Sequence, residues 1–238
     1  MKLDIMAIAA HPDDVELSSS GTLLKAVAEG KKAGIIDLTR GELGTRGTPE
    51  IRDQEAADAA KIMGLSAREN LGFRDGFFEN DEAHQLELIK MIRKYQPDIV
   101  LANAYEDSHP DHGRGSKLAS DACFKAGLKM IETELDGEKQ QKWRPRAVYH
   151  YIQSIPREPD FVVDVSDVWE QRMDTIRAFK SQFFYPLIKE DSTYISSPMF
   201  LRMIEARSIE YGHLIGARYG EGFQVERIPG VDSIFDLR

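Results

Sequence analysis

Ala10-His11-Pro12-Asp13-Asp14-Val15-Glu16 follows directly on a short apolar run, Ile5 to Ala9. The run has the length and make-up of a buried strand, so the polar stretch falls where that strand ends. One imidazole and three carboxylates are crowded between positions 11 and 16. Such crowding is unfavourable unless a cation or a catalytic task offsets it. Pro and Asp are also common turn formers, and the stretch alone reads equally well as a solvated turn.

The chain around it alternates between two periodicities. Residues 18–29 read as a helix with Leu23, Leu24 and Val27 on one face and Gly30 as its stop. Ala33 to Leu38 is a second strand, followed by the glycine-rich loop 41–47. Thr48 as N-cap and Pro49 at the first position open a helix whose face carries Ala56, Ala60 and Met63. Glu69 to Phe73 is a short strand. Asn80-Asp81 caps a helix with Leu88, Met91, Ile92 and Tyr95 in phase, and Pro97 to Ala102 is the next strand. This alternation predicts an α/β fold, a mostly parallel sheet with helices on both faces. A helix is expected over about 112–128, a linker at 134–142, and strands at Ala147–Gln153 and Phe161–Val165. Asp167 and Glu170 have capping-box spacing and predict a helix to about Lys180. Residues 186–196 read as irregular, Ser197-Pro198 opens a helix to about Arg218, and the tail from Tyr219 is expected to be extended. The expectation is one domain over 1–238, with a core of about 1–165 and a C-terminal helical cap of about 166–238.

The 238 residues suffice to bury a substantial core. A net charge of −9, spread along the chain, argues against general nucleic-acid binding. No apolar run is long enough to span a bilayer, and Met1-Lys2-Leu3-Asp4 does not open as a signal peptide. The single cysteine, Cys123, excludes an internal disulfide and suits a reducing cytoplasm; its helical setting marks it as a core residue.

A second cluster, His109-Pro110-Asp111-His112, lies just past the strand ending at Ala102. Open α/β sheets bind ligands outside the carboxyl ends of their strands, where the strand order reverses. In the common order the first and fourth strands are neighbours there, so both clusters should project into one crevice. Imidazoles and carboxylates without a thiolate suit zinc, and iron(II) or cobalt could use the same donors. A tight turn can aim His11 and Asp14 at one point, and His112 can supply a third ligand. Asp13 is then the candidate general base, and His109 the imidazole that stabilises an oxyanion and protonates a leaving amine. Asp111 would orient His109. The predicted chemistry is hydrolysis of an amide or ester.

The AHPDDVE and HPDH motifs together resemble the LmbE/PIG-L-type zinc-dependent N-deacetylases, over nearly the whole chain. The resemblance implies a Rossmann-like fold, often a homohexamer, and removal of the acetyl group from an N-acetylglucosaminide. It places one zinc on His11, Asp14 and His112, the general base on Asp13, and the second catalytic histidine on His109 with Asp111 tuning it. The stretches Gly41–Gly47, Ile51–Ala56, Gly72–Gly76, Tyr185-Pro186, Glu205–Arg207 and Gly220–Phe223 look like the bacillithiol biosynthesis branch, which deacetylates N-acetylglucosaminyl-malate. Ser108 departs from that branch, many of whose members carry Arg there.

By the same resemblance, Arg52 and Asp75 would contact sugar hydroxyls. Arg46, between glycines, would suit a malate carboxylate. Glu16 reads either as a support of the site or as a helix cap. His84 is expected to be solvated, His150 packed, and His213 in the core or at a subunit contact. Trp143 and Trp169 read as packing residues. The loop 41–47 lacks a P-loop lysine and the Rossmann fingerprint, so no phosphate site is read there. Two other classes stay open at this point, a two-metal phosphoesterase and a non-catalytic sugar-binding module.

Overall fold

The computed structural model describes residues 1–183 and 193–237; Tyr185-Pro186 and much of the stretch expected to be irregular lie outside them. In chain order the strands are β1 (Ile5–Ala9), β2 (Ala33–Thr39), β3 (Ala67–Phe73), β4 (Ile99–Ala102), β5 (Glu134–Leu135), β6 (Glu138–Lys139), β7 (Ala147–Tyr151), β8 (Phe161–Asp164) and β9 (Gly220–Val225). The helices are α1 (Asp14–Ser18), α2 (Ser20–Ala28), α3 (Pro49–Met63), α4 (Glu82–Tyr95), α5 (Pro110–Ala126), α6 (Trp169–Arg177) and α7 (Pro198–Leu214).

The main sheet runs β3-β2-β1-β4-β7-β9-β8. Pairings from β3 through β7 are parallel, and β9 is antiparallel to both its neighbours. This is the mostly parallel α/β sheet expected from the alternation of elements. All of β1 and β2 are buried, because helices cover both faces. The period of two sorts their side chains: Ile5, Ala7 and Ala9 pack with α2, α3, α6 and α7, whereas Met6, Ile8 and Ala10 pack with α4 and α5. The order also makes β1 and β4 hydrogen-bonded neighbours, and their carboxyl ends carry the two polar clusters.

Local signals hold at several caps. Thr48, Asp81 and Ser197 each accept a backbone N–H from their helix's first turn. Elsewhere long-range contacts override the local pattern. The helix expected over 18–29 is α2, Ser20–Ala28; unexpected is the separate short helix α1 before it, divided from α2 at Ser19, whose φ is −147°. Glu221, on β9, supplies the reason. Its carboxylate accepts from Gly21 N, Thr22 N and Thr22 Oγ1 at 2.7–2.9 Å, capping α2 from the far end of the chain. The capping box at Asp167 does not form; α6 starts at Trp169 after a 3-10 turn and ends at Arg177. α7 stops at Leu214, not near Arg218, because Gly216 turns left-handed (φ 69°) and Ala217 N bonds back to Gly212 O. The expected linker holds a two-stranded hairpin, β5–β6, turned by Asp136-Gly137 with both φ positive. The extended tail is not peripheral, since β9 is inserted between β7 and β8, so the sheet continues well past residue 165.

His150 is fully buried and Trp169 is packed, as expected. His84 caps back onto Asp81, and His213 is exposed rather than in the core. No helix among the described residues is long and apolar enough to cross a membrane.

Two outcomes follow from this packing. Glu221 also accepts from Arg172 Nε at 2.7 Å, and both side chains are 1 % exposed. Glu221→Ala should leave a buried guanidinium unpaired and lower unfolding free energy by about 3–5 kcal/mol, read by urea denaturation. Cys123 is buried and burial pushes its thiol pKa up, so a thiol reagent at about pH 8 should label it only as fast as the protein unfolds.

Candidate functional site

A cavity of about 680 Å³ opens at the carboxyl edge of the sheet. His11, Asp13, Asp14, Arg46, Arg52, Asp75, His109 and His112 all line it, and Asp111 lies fully buried behind them. The structure therefore brings the sequence-predicted residues together, from the ends of β1 and β3, the glycine loop, and the start of α3 and α5.

The turn after β1 is held in an unusual shape. Asp13 has φ 127° and ψ −19°, a conformation that disfavours any residue with a Cβ. Arg52, on the first turn of α3, clamps it: Nη2 bonds Pro12 O at 2.9 Å and Asp13 Oδ2 at 3.3 Å, while Nη1 bonds Gly41 O at 2.8 Å. A cation at a helix N-terminus is disfavoured by the dipole. Here two carbonyls and a carboxylate compensate. The protein partners of Arg52 in this structure are thus the turn and its carboxylate.

The neighbouring aspartates differ sharply. Burial, with the charges of Asp14 and Glu16, pushes Asp13 up to about 7, against the pull of Arg52 and His11. Burial acts on Asp14 in the same sense, but the charge of His112 and hydrogen bonds to His11 and His112 overcome it and hold Asp14 well below the usual carboxylate range. One aspartate is poised to exchange a proton and the other is fixed as an anion.

Asp14 is the point on which the imidazoles converge. His112 Nε2 lies 3.0 Å from Asp14 Oδ1, and His11 Nδ1 lies 3.7 Å from Asp14 Oδ2. The opposite nitrogen of each ring faces other carboxylates. His112 Nδ1 bonds Asp107 Oδ2 at 2.5 Å. His11 Nε2 bonds Asp75 Oδ1 at 3.0 Å and Asp111 Oδ2 at 3.3 Å. With those outer nitrogens donating, each neutral ring turns a lone pair towards Asp14, the tautomer a metal ligand needs. Without a cation, the cluster's negative charge has to be balanced by protons on the rings. That is the sense of the pKa shifts: burial opposes it, yet hydrogen bonds with Asp111, Asp14 and Asp75 raise His11 well above its usual value, and Asp14 and Asp107 raise His112 to about 9. The donor set fits a divalent cation. Among the described residues the groupings whose donor atoms all lie within 4.8 Å of one another are His11–His109–His112 and His11–Asp75–Asp111; the expected set of His11, Asp14 and His112 is not one of them.

His109 caps α5 and its Nδ1 accepts the N–H of Asp111 at 3.3 Å, which leaves Nε2 to carry the proton. Burial, then the positive His11 and His112, push its pKa down, so it is neutral. The link from Asp111 to His109 runs through that backbone N–H. Its carboxylate instead meets His11, Gly76 N at 2.8 Å and Arg114 Nη1 at 2.7 Å. Asp75 also accepts Leu43 N at 2.9 Å; burial pushes its pKa up, but the bonds from His11 and Leu43 and the charges of His11 and Arg52 together outweigh it and hold it down to about 2. Arg46 is buried, with Gln182 donating to its carbonyl. Glu16 forms a buried ion pair with Arg68 at 2.6 Å and acts on the site through its charge on Asp13.

Sequence reasoning passed over Asp107, Asn103 and Gln153, which are the immediate partners of His112 and Asp14. Asp107 had a usable signal, a carboxylate in the same loop as a candidate metal-binding imidazole. Gln153, an isolated amide after β7, had none.

A family model described as "PIG-L: GlcNAc-PI de-N-acetylase" matches residues 6–123. The chain is 30% identical over 244 residues to the diacetylchitobiose deacetylase of Thermococcus kodakarensis, covering 95% of this chain and 84% of that protein. It is 27% identical over 199 residues to the "Probable N-acetyl-alpha-D-glucosaminyl L-malate deacetylase 2" of Bacillus subtilis, covering 76% and 84%. The crystal structure of a conserved protein from Thermus thermophilus superimposes with a TM-score of 0.87 at 35% identity, over 98% of each chain.

Gly41 has φ +63°, and a Cβ there would stand 1.8 Å from Arg52 Nη1. Gly41→Ala should cost about 1–2 kcal/mol in backbone conformation alone. It should also drive the guanidinium off Asp13. Urea denaturation reads the first effect and a crystal structure of the variant the second.

Proposed function

Because the chain belongs to the PIG-L (LmbE-like) family of de-N-acetylases, we propose that it is a metal-dependent hydrolase that removes the acetyl group from an N-acetylglucosaminide. The observation that carries this reading is the convergence of two oriented imidazoles on the anionic Asp14, beside an aspartate near its proton-exchange point.

In this reading His11, Asp14 and His112 hold one zinc per chain, with iron(II) suited to the same donors. A cation held there supplies Lewis acidity to the acyl oxygen and lowers the pKa of water. Asp13 accepts the proton of the attacking water, and Arg52 keeps its carboxylate aimed at it. His109, across the cavity, offers Nε2–H to the developing oxyanion. The C–N bond then breaks, acetate leaves with the water oxygen, and the amine takes up the proton passed on by the acid–base pair. Asp111 sets the His109 ring through its N–H and steadies His11 through its carboxylate. Asp75 and Arg52 stand where sugar hydroxyls would enter.

The finer assignment, to N-acetylglucosaminyl-malate, rests on the glycine-loop and C-terminal motifs and on Arg46 as partner for a malate carboxylate. Its rival is diacetylchitobiose, named for the Thermococcus relative, whose second moiety is an uncharged sugar. A higher kcat/KM on the malate glycoside, with Arg46→Ala raising KM for that substrate alone, would support the finer assignment; the reverse preference would replace it. A homohexamer, expected from the resemblance, is read by sedimentation.

Chelation should abolish acetate release and added zinc restore it. Asp13→Asn should retain the metal and lower kcat by about 10²–10⁴-fold. His112→Ala should lose the metal. Metal loss with Asp13→Asn would exchange the roles of the two aspartates, and two metals per chain, the second on His11, Asp75 and Asp111, would favour the phosphoesterase reading.

A further inference from the structure

Two carboxamides close around Asp14. Asn103 follows β4 and Gln153 lies just beyond β7, strands that pair in parallel, so both side chains stand at the same sheet edge. Asn103 is fully buried and Gln153 is 6 % exposed.

The orientation of each amide is fixed by a group that can only donate. Ala10 N–H bonds Asn103 Oδ1 at 2.9 Å, so the Asn103 nitrogen must face the other way. It donates to Asp14 Oδ2 at 3.0 Å and to Gln153 Oε1 at 3.0 Å. Ala104 N–H bonds Gln153 Oε1 at 3.1 Å, which likewise turns the Gln153 nitrogen towards Asp14 Oδ1 at 3.0 Å. His11 N–H adds a third bond, to Oδ2, at 2.9 Å. Asp14 Oδ2 thus receives two donors. Oδ1 receives one from an amide and keeps a lone pair directed at His112 Nε2. Arg207 of α7 secures the bracket from behind, bonding Gln153 O and, at 2.9 Å, Leu17 O.

We infer that Asn103 and Gln153 are positioning residues that fix the Asp14 carboxylate in place and aim Oδ1 at the cation shared with His11 and His112. The inference rests on the proposed function, in which Asp14 is a metal ligand. It adds that the geometry of this ligand is imposed by amides from two other strands. A purely structural role predicts something else, a loss of stability with metal affinity intact.

The test is zinc affinity, measured by competition with a chromophoric chelator, alongside thermal unfolding of the metal-free protein. Gln153→Met keeps the length and removes the donor; Gln153→Ala, which leaves room for water, is the second variant should the first fail to fold. Either should weaken zinc binding by about 10–100-fold. The metal-free melting temperature should fall as well, because Ala104 N–H and the Asn103 amide lose their acceptor, but KM should change little and excess zinc should restore most of the lost kcat. Unchanged zinc affinity with a lowered melting temperature would overturn the inference while leaving the proposed function in place. A wild-type protein that takes up no zinc would overturn both.

Discussion

Negative charge held out of water at one sheet edge is the constraint on which the rest of this structure depends. Asp13, Asp14, Asp75, Asp107 and Asp111 surround two imidazoles in a largely buried setting. Carboxylates in that position are tolerated only when each finds donors or a counter-charge. The surroundings comply in a graded way. Asp14 collects a backbone N–H and two amides, Asp111 a backbone N–H and Arg114, and Asp75 a backbone N–H. Among the described residues the Asp13 carboxylate has only the longer Arg52 contact, while Asp14 also meets the imidazoles of His11 and His112, and Asp13 is the carboxyl whose pKa rises to about 7. Unequal donor supply therefore differentiates residues that are chemically identical and adjacent in sequence.

This differentiation needs the backbone as much as the charges. Asp13 and Asp14 are consecutive, yet one must face the cavity and the other the amide bracket. An ordinary turn would not separate them so widely. The φ of 127° at Asp13 does so, and the strain is carried by Arg52 bonding Pro12 O, by Leu17 N bonding Asp13 O, and by the start of α1 at Asp14. The absence of a Cβ at Gly41 is what lets Arg52 reach that far. The glycine-rich loop thus serves as space for a guanidinium.

How much of this was legible follows from the range of each interaction. Parallel strands, caps at Thr48, Asp81 and Ser197, and the meeting of the two histidine clusters all rest on local periodicity plus one topological rule, and the structure has them. What sequence missed is long-range. β9 reads as an extended tail rather than as a strand of the sheet because its Gly220 and Gly222 weaken any strand signal. They are there because Tyr211 packs against the strand so closely that a Cβ at Gly222 would meet it at 3.0 Å. Glu221 shows no helix-capping signal since its helix is about two hundred residues earlier in the chain. Gln153 is an unremarkable polar residue until β4 and β7 pair.

These long-range pieces bear on the site itself. The chain expected to cap the fold, from residue 166 on, contributes a core strand and a helix whose Arg207 bonds the carbonyl of Gln153. The same guanidinium bonds Leu17 O in α1, the helix that begins at Asp14, and Arg172 of α6 bonds that carbonyl as well. The last turn of α1 is therefore pinned by two cations, the half-buried Arg207 and the buried Arg172, the latter neutralised by Glu221. Arg207 is half-buried beside Arg172, and desolvation together with that like charge lowers its pKa to about 10. Such an arrangement is unfavourable for Arg207 on its own. It is sustained because it locks α1, and with it the Asp14 carboxylate, to the end of β7. The C-terminal elements thus reach the site through backbone carbonyls; the stretches Glu205–Arg207 and Gly220–Phe223, singled out in the sequence by resemblance alone, hold Arg207 and Glu221, whose contacts only the fold reveals.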